Sequence, residues 1–111
     1  MTAINFSLSD TLTVTIKGHA DYAEKGLDIV CAAISSRATT LAEFVAIMYD
    51  GGMLEEKPKI QLNDGDALIE CKPTKEALHY ITNIFAYDRM GFEIIANTYP
   101  EYVKLNESSL R

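Results

Sequence analysis

The alternation of hydrophobic and polar residues predicts a pair of β-strands at the start of the chain. Apolar side chains occupy every second position over residues 3–8 and again over residues 11–17, and the polar pair Ser9-Asp10 separates the two runs. A period of two places alternate side chains on one face of a strand. Two such runs across a short polar turn predict a β-hairpin, which ends at Gly18-His19.

From Asp28 onward the hydrophobic period changes to that of a helix. Apolar residues recur every three or four positions up to the pair Gly51-Gly52, and alanines widen the stripe. An aspartate is a favourable N-cap, and glycines commonly end a helix. The pattern therefore predicts one long helix of about 22 residues, buried along one side. Residues 20–27 before it are predicted to form a loop.

A second hairpin follows this helix. Residues 59–62 and 67–72 alternate, and the turn sequence Asn63-Asp64-Gly65-Asp66 lies between them. Such Asp-Gly turns favour tight hairpins. Pro58 cannot donate to a sheet ladder, so we expect the first arm to be an edge strand.

The C-terminal third predicts a second amphipathic helix. Its apolar stripe begins at Leu78, after Thr74 as a capping residue, and ends before Pro100. Gly91 within it indicates a kink or a close approach. Residues 102–105 could form a closing strand. The expected fold is α+β: one domain over residues 1–111, with an antiparallel sheet in ββαββα order and two long helices on one face.

Composition restricts the class of function. The chain has 48% hydrophobic and 23% charged residues and a net charge of −6, with no basic cluster. These values indicate a soluble globular protein and argue against direct binding of nucleic acid. We expect no signal peptide, since a basic segment and a long apolar segment are missing at the start. The apolar runs are too short to predict a membrane span, so cytoplasmic residence is expected.

Cys31 and His19 are the candidate chemical groups. Cys31 lies in the first turn of the first helix, where the partial positive charge of the N-terminus favours a thiolate. His19 ends the second strand, and a strand end commonly lies beside the next helix start, so a Cys–His dyad is expected. Asp21, Asp28 and Ser35 are the nearby candidates for a residue that assists the imidazole, and the sequence favours none of the three over the others. A free cysteine on a helix is also often a core residue.

The other cysteine and histidine have structural interpretations. Cys71 is expected to be buried in a strand, and His79 to lie at the surface of the second helix. Neither pairs with a partner at metal-ligand spacing, so no metal site or cofactor is predicted. The turn at residues 63–66 lacks the spacing of a calcium loop.

The segment from Gly18 to Ser35 resembles the signature of the ribosomal-processing cysteine protease Prp family. The shared pattern is Gly-His-Ala-x-Tyr-x-x-x-Gly-x-Asp-Ile-Val-Cys-Ala-Ala-x-Ser, and every fixed position is present. The sequence Gly91-Phe92-Glu93 and the later pair Tyr99-Pro100 are similar to a weaker pattern of the family.

The resemblance implies a cytoplasmic, homodimeric endopeptidase that removes a short N-terminal extension from large-subunit ribosomal protein twenty-seven, cutting after a phenylalanine. It implies Cys31 as the nucleophile and His19 as the general base, with Asp28 and Ser35 in support. The loop from Tyr22 to Leu27, including Gly26, would be a mobile cover. Two other functions stay open on the residues alone. One is a non-catalytic dimer that binds a basic ribosomal partner; the other is a thiol hydrolase or transferase that acts on a small molecule.

Overall fold

The computed structural model describes residues 1–106 and contains one five-stranded sheet with two long helices. The elements, in chain order, are β1 (Thr2–Leu8), β2 (Leu12–Lys17), α1 (Ile29–Asp50), β3 (Lys59–Asn63), β4 (Asp66–Cys71), α2 (Leu78–Thr98) and β5 (Val103–Asn106). Both predicted hairpins and both predicted helices are confirmed. The closing strand, β5, is present as well.

The strand order across the sheet is β3-β4-β2-β1-β5. The two hairpins meet where β2 pairs antiparallel with β4, so the turn of the second hairpin lies beside the end of β2. β5 pairs parallel with β1, while the other described pairings are antiparallel. The sheet is therefore mostly antiparallel, with one parallel edge that is reached through α2.

One face of the sheet is buried beneath both helices. Ile4, Phe6 and Val14 point into this core and are at most 1% exposed. Alternate residues on the other face are only half-buried and mainly polar. This division follows from the period of two in the strands and the helical period in α1 and α2. The helices contact each other as well as the sheet.

Local signals set the ends of α1. The Asp28 side chain caps its N-terminus, and the N–H of Gly51 donates to the Ile47 carbonyl at its other end. By length and composition α1 could also cross a membrane, which the sequence analysis did not anticipate. Its buried residues pack into the core, as expected for a core helix of a soluble protein.

A buried ion pair joins the two helices. Arg37 of α1 places Nε 3.1 Å from Oδ1 of Asp88 on α2. The Arg37 guanidinium lies directly over Gly91, where any larger residue would place its Cβ against it. Gly91 thus permits the close approach of the Arg37 side chain to α2, which is one of the two roles predicted for this glycine. The start of α2 differs slightly from expectation, because Thr74 accepts from the Ala77 N–H in a turn just before the helix.

Candidate active site

A surface cavity of about 420 Å³ lies between the end of β2, the loop that follows it, the start of α1 and the β3–β4 turn. It is lined by His19, Asp21, Ala23, Lys25, Gly26, Asp28, Cys31, Ala32 and Asp64. The predicted nucleophile and the predicted base therefore share one open cavity. Tyr22 and Ser35, the other predicted site residues, lie outside this lining set.

Asp28 ties the loop to the helix. Its Oδ1 accepts from the N–H groups of Val30 (3.0 Å) and Cys31 (2.9 Å). Its Oδ2 accepts from the N–H groups of Tyr22 (3.0 Å) and Ala23 (3.4 Å). These hydrogen bonds, that from Cys31 first, hold the pKa of the Asp28 carboxyl below its ordinary value. Asp28 therefore caps α1 and also fixes the path of the loop that precedes this helix.

Cys31 is partly exposed at the cavity wall. Burial raises the pKa of its thiol, and the nearby Asp28 carboxylate adds to this effect. Hydrogen bonds from the backbone N–H groups of Ala20 and Asp21 act in the opposite direction without overcoming it. The sequence analysis expected the helix N-terminus to lower this pKa, and that expectation is wrong for this conformation. The main reason is burial of the thiol; in addition, the Asp28 carboxylate, which accepts from the N–H groups at the helix start, adds its negative charge.

The raised pKa predicts slow alkylation of Cys31 in the absence of substrate. The rate with iodoacetamide should rise with pH, with a midpoint above that of a cysteine in a short unstructured peptide. Asp28→Asn should lower this midpoint, because it removes a negative charge beside the sulfur while keeping a capping oxygen. Peptide mapping would assign the label. Cys71 is an internal reference, since it is 2% exposed and burial raises its pKa to about 12.

A midpoint below that of the free peptide would contradict this prediction. It would show that Cys31 is already a thiolate in the resting protein. An unchanged midpoint in Asp28→Asn would show that burial alone sets the pKa.

His19 faces the β3–β4 turn. Its Nδ1 lies 3.8 Å from Oδ1 of Asp64, and the imidazole rests over Gly65, with both partners in the turn. Among the described residues, Asp64 is therefore the carboxylate within ion-pair distance of this ring nitrogen. His19 and Cys31 line the same cavity. Within residues 1–106, the two side chains form no hydrogen bond with each other.

The loop before α1 is held at several points. The Tyr22 ring packs edge-on against Tyr99 and Tyr102, with centroid distances of 5.5 Å and 5.2 Å. Gly26 has a φ of +92°, which favours glycine. Asp21 has a φ of +59°, unusual for a residue with a side chain, directly where the loop leaves β2. The loop conformation thus depends on contacts to the C-terminal part of the chain that its own sequence does not reveal.

The remaining candidates lie outside the cavity lining. Ser35 is exposed on α1, one turn after Cys31. Cys71 is buried in the core, and His79 is exposed on α2 near Asn83. Within residues 1–106, no group of three or more His, Cys, Asp or Glu side chains is arranged to hold a metal ion.

Comparison with known proteins identifies the family. The family model described as cysteine protease Prp matches residues 1–104. The ribosomal processing cysteine protease Prp of Mycoplasma genitalium is 33% identical over 111 residues, which cover 96% of this chain and 97% of that protein. The chain belongs to the cysteine protease Prp family.

Solved structures of similar proteins share the Prp fold. The ribosomal processing protease Prp from S. aureus, in complex with a covalently linked product peptide, superposes with a TM-score of 0.72 at 24% identity. That match covers 96% of this chain and 98% of the other. SMU.848 from Streptococcus mutans gives a TM-score of 0.67 at 24% identity, over 96% and 92% of the two chains. The fold of this Prp family member is thus the same as that of proteins solved by crystallography.

Sequence reasoning missed two parts of this Prp site. Asp64 and Gly65 were interpreted only as turn residues, although they form the surface on which His19 rests. The aromatic partners of Tyr22 were also missed. The turn lies beside His19 because β2 pairs antiparallel with β4. The sequence patterns of the two hairpins, taken separately, do not reveal this pairing.

Proposed function

We propose that this Prp family member removes the short N-terminal extension of large-subunit ribosomal protein twenty-seven, cutting after a phenylalanine. Family membership supports a cysteine protease, and the M. genitalium relative is a ribosomal processing enzyme by name. The S. aureus relative was crystallised with a substrate peptide and with a covalently linked product peptide. The observation that carries the proposal is an exposed cavity with a cysteine and a histidine in its wall.

In the proposed mechanism His19 is the general base and Cys31 the nucleophile. His19 takes the thiol proton, and the sulfur attacks the scissile carbonyl to form a tetrahedral intermediate. The carbon–nitrogen bond then breaks as the imidazolium gives its proton to the leaving amine. Water hydrolyses the resulting thioester and releases the enzyme. Because burial and Asp28 disfavour the thiolate in the resting state, proton transfer to a base is a necessary part of the attack.

The negatively charged oxygen of the tetrahedral intermediate needs hydrogen-bond donors close to Cys31. The N–H groups of Val30 and Cys31 at the start of α1 already donate to Asp28. The N–H groups of Ala20 and Asp21 are directed toward the sulfur of Cys31. In the proposed mechanism they stabilise negative charge as it develops near the sulfur. Asp28 and Ser35 keep supporting roles, and the loop from Tyr22 to Leu27 is proposed to open for substrate.

A cytoplasmic homodimer is part of the same proposal. Three exposed apolar side chains on α2 support it: Tyr87, Met90 and Ile94 share one helix face and are 57% to 69% exposed. Side chains three and four residues apart form one continuous stripe. Such an exposed apolar stripe is suited to bury against a second copy.

The alternative is a non-catalytic protein that binds a basic ribosomal partner. The raised pKa of the Cys31 thiol favours this candidate. The net charge of −6 is compatible with a basic partner. Proteolysis of the extended ribosomal protein separates the two functions directly.

The proposed substrate predicts one cut at one residue. Incubation with the extended ribosomal protein should release a single N-terminal peptide that ends in phenylalanine, as measured by intact-mass spectrometry. Replacing that phenylalanine with aspartate should slow release by about 100-fold or more, since a charge would enter an apolar subsite. An alanine substitution two residues away is the matched control. No cut of a soluble, confirmed extended substrate would favour the binding function.

A further inference from the structure

The β3–β4 turn reaches into the active-site cavity through Asp64. The N–H of Gly18 donates to the Gly65 carbonyl at 2.9 Å, so the end of β2 is fastened to this turn. His19 is the next residue after Gly18, and its ring therefore faces the turn. The Asp64 Oδ1 lies 3.8 Å from the His19 Nδ1, and Asp64 itself lines the cavity.

Gly65 supplies the space in which the imidazole sits. A Cβ on Gly65 would lie 2.6 Å from Nε2 of His19 and 3.0 Å from Cε1. Carbon atoms do not approach ring atoms so closely, so a side chain here would displace the ring. Gly65 also has a φ of +72°, which favours glycine. The ring is thus confined beside Gly65, with Nδ1 3.8 Å from Oδ1 of the Asp64 carboxylate.

The other carboxylates near His19 have different partners. Both oxygens of Asp28 accept from backbone N–H groups. Asp21 Oδ2 lies 3.6 Å from the amino group of Met1. Asp64 divides its two oxygens, with Oδ1 toward His19 and Oδ2 3.6 Å from Nζ of Lys25 in the loop. Asp64 is therefore the carboxylate placed to act on the imidazole.

We propose that Asp64 is a positioning residue that keeps the proton of neutral His19 on Nδ1. This inference rests on the proposed role of His19 as general base. A neutral imidazole carries one proton, and an acceptor beside Nδ1 favours the Nδ1–H tautomer. Nε2 then holds the lone pair that takes the proton from Cys31. When both nitrogens carry protons, the carboxylate stabilises the imidazolium until Nε2 gives its proton to the leaving amine.

The expected effect is catalytic and not structural. The side chains of His19 and Asp64 are 52% and 71% exposed, so the pair contributes little to the stability of the fold. A wrong tautomer, in contrast, places a hydrogen where the base needs a lone pair. Asp64→Asn should lower kcat for cleavage by about tenfold or more with KM nearly unchanged.

The decisive measurement is the tautomer of His19 by ¹⁵N NMR, combined with kinetics of the same variants. The chain has two histidines, so His79→Gln assigns the signals. The unmodified enzyme above pH 8 should show Nδ1–H for His19, and Asp64→Asn should shift the balance toward Nε2–H. Asp66→Asn is the matched control, since Asp66 is in the same turn but pairs with Lys17. It should change neither the tautomer nor kcat.

Three outcomes would overturn the inference. The first is an Nε2–H tautomer in the unmodified enzyme, and the second is an unchanged kcat in Asp64→Asn. The third is a Lys25→Gln variant that reproduces the entire kcat loss with an altered tautomer, since Asp64 would then act through the loop. Failure of the proposed function gives a different result, because the unmodified enzyme would then not cut the extended ribosomal protein. The tautomer of His19 and its response to Asp64→Asn would still report whether Asp64 directs the ring. Full cleavage by His19→Ala would instead remove His19 from the role of general base.

Discussion

Cys31→Ala is expected to abolish cleavage of the extended ribosomal protein, with a loss of roughly 10⁴-fold or more in kcat. Alanine cannot form the covalent thioester on which the proposed mechanism depends. The fold should be unaffected, because alanine has the highest helix propensity and Cys31 is only partly buried at the cavity wall. Cleavage is followed by mass spectrometry, and the fold by thermal unfolding.

Two further variants make this result specific. Ser36→Ala introduces the same residue at an exposed position of the same helix and should cleave like the unmodified enzyme. Cys31→Ser should be nearly inactive, since a serine hydroxyl stays protonated beside a base suited to a thiol. Full cleavage by Cys31→Ala would contradict the assignment of Cys31 as nucleophile. The cleavage would then depend on a different nucleophile of the chain.

Arg37→Met is expected to destabilise the fold by about 3 kcal/mol at pH 8, because it leaves the buried Asp88 without its cation. The Asp88 side chain is 10% exposed, and the Arg37 side chain 31%. Burial raises the pKa of Asp88 from 3.8 to about 6, although Arg37 acts to lower it. The Arg37 guanidinium also lies 6.0 Å from the centroid of the Phe92 ring, so the substitution removes packing as well as charge.

The loss should shrink as the pH falls. The folded-state pKa of Asp88 lies above its unfolded value, so the folded state binds the proton more tightly. Ionised Asp88 therefore costs stability above about pH 6, and that cost disappears toward pH 4. In Arg37→Met the pKa rises further, and at pH 5 the carboxyl is neutral, which reduces the loss to about 1 kcal/mol. Urea unfolding at the two pH values measures both quantities.

The double variant Arg37→Met/Asp88→Leu is the control for charge. It removes both ions and should recover most of the stability at pH 8. Lys17→Met, which breaks the exposed pair with Asp66, should cost less than about 1 kcal/mol. A loss in Arg37→Met that is equal at pH 5 and pH 8 would show that packing, and not the charge of Asp88, is responsible.

Residues near each other in sequence were sufficient to predict the secondary structure. The predicted first helix of about 22 residues is Ile29–Asp50, because Asp28 and Gly51 act through local hydrogen bonds. The hairpins were equally predictable, since their registers depend on short turns. The parallel direction of β5 was not, because it depends on the path of α2 across the sheet.

The sequence by itself determined the elements, the family pattern and the pairing of Cys31 with His19 as candidate chemistry. These depend on periodicity and on residues within one short segment. Only the tertiary structure decided which carboxylate faces the imidazole and in which direction the thiol pKa moves. Asp64 and His19 are 45 positions apart and meet because β2 pairs with β4. The pKa of Cys31 depends on burial and on the orientation of Asp28, which are properties of the folded chain and not of its local pattern.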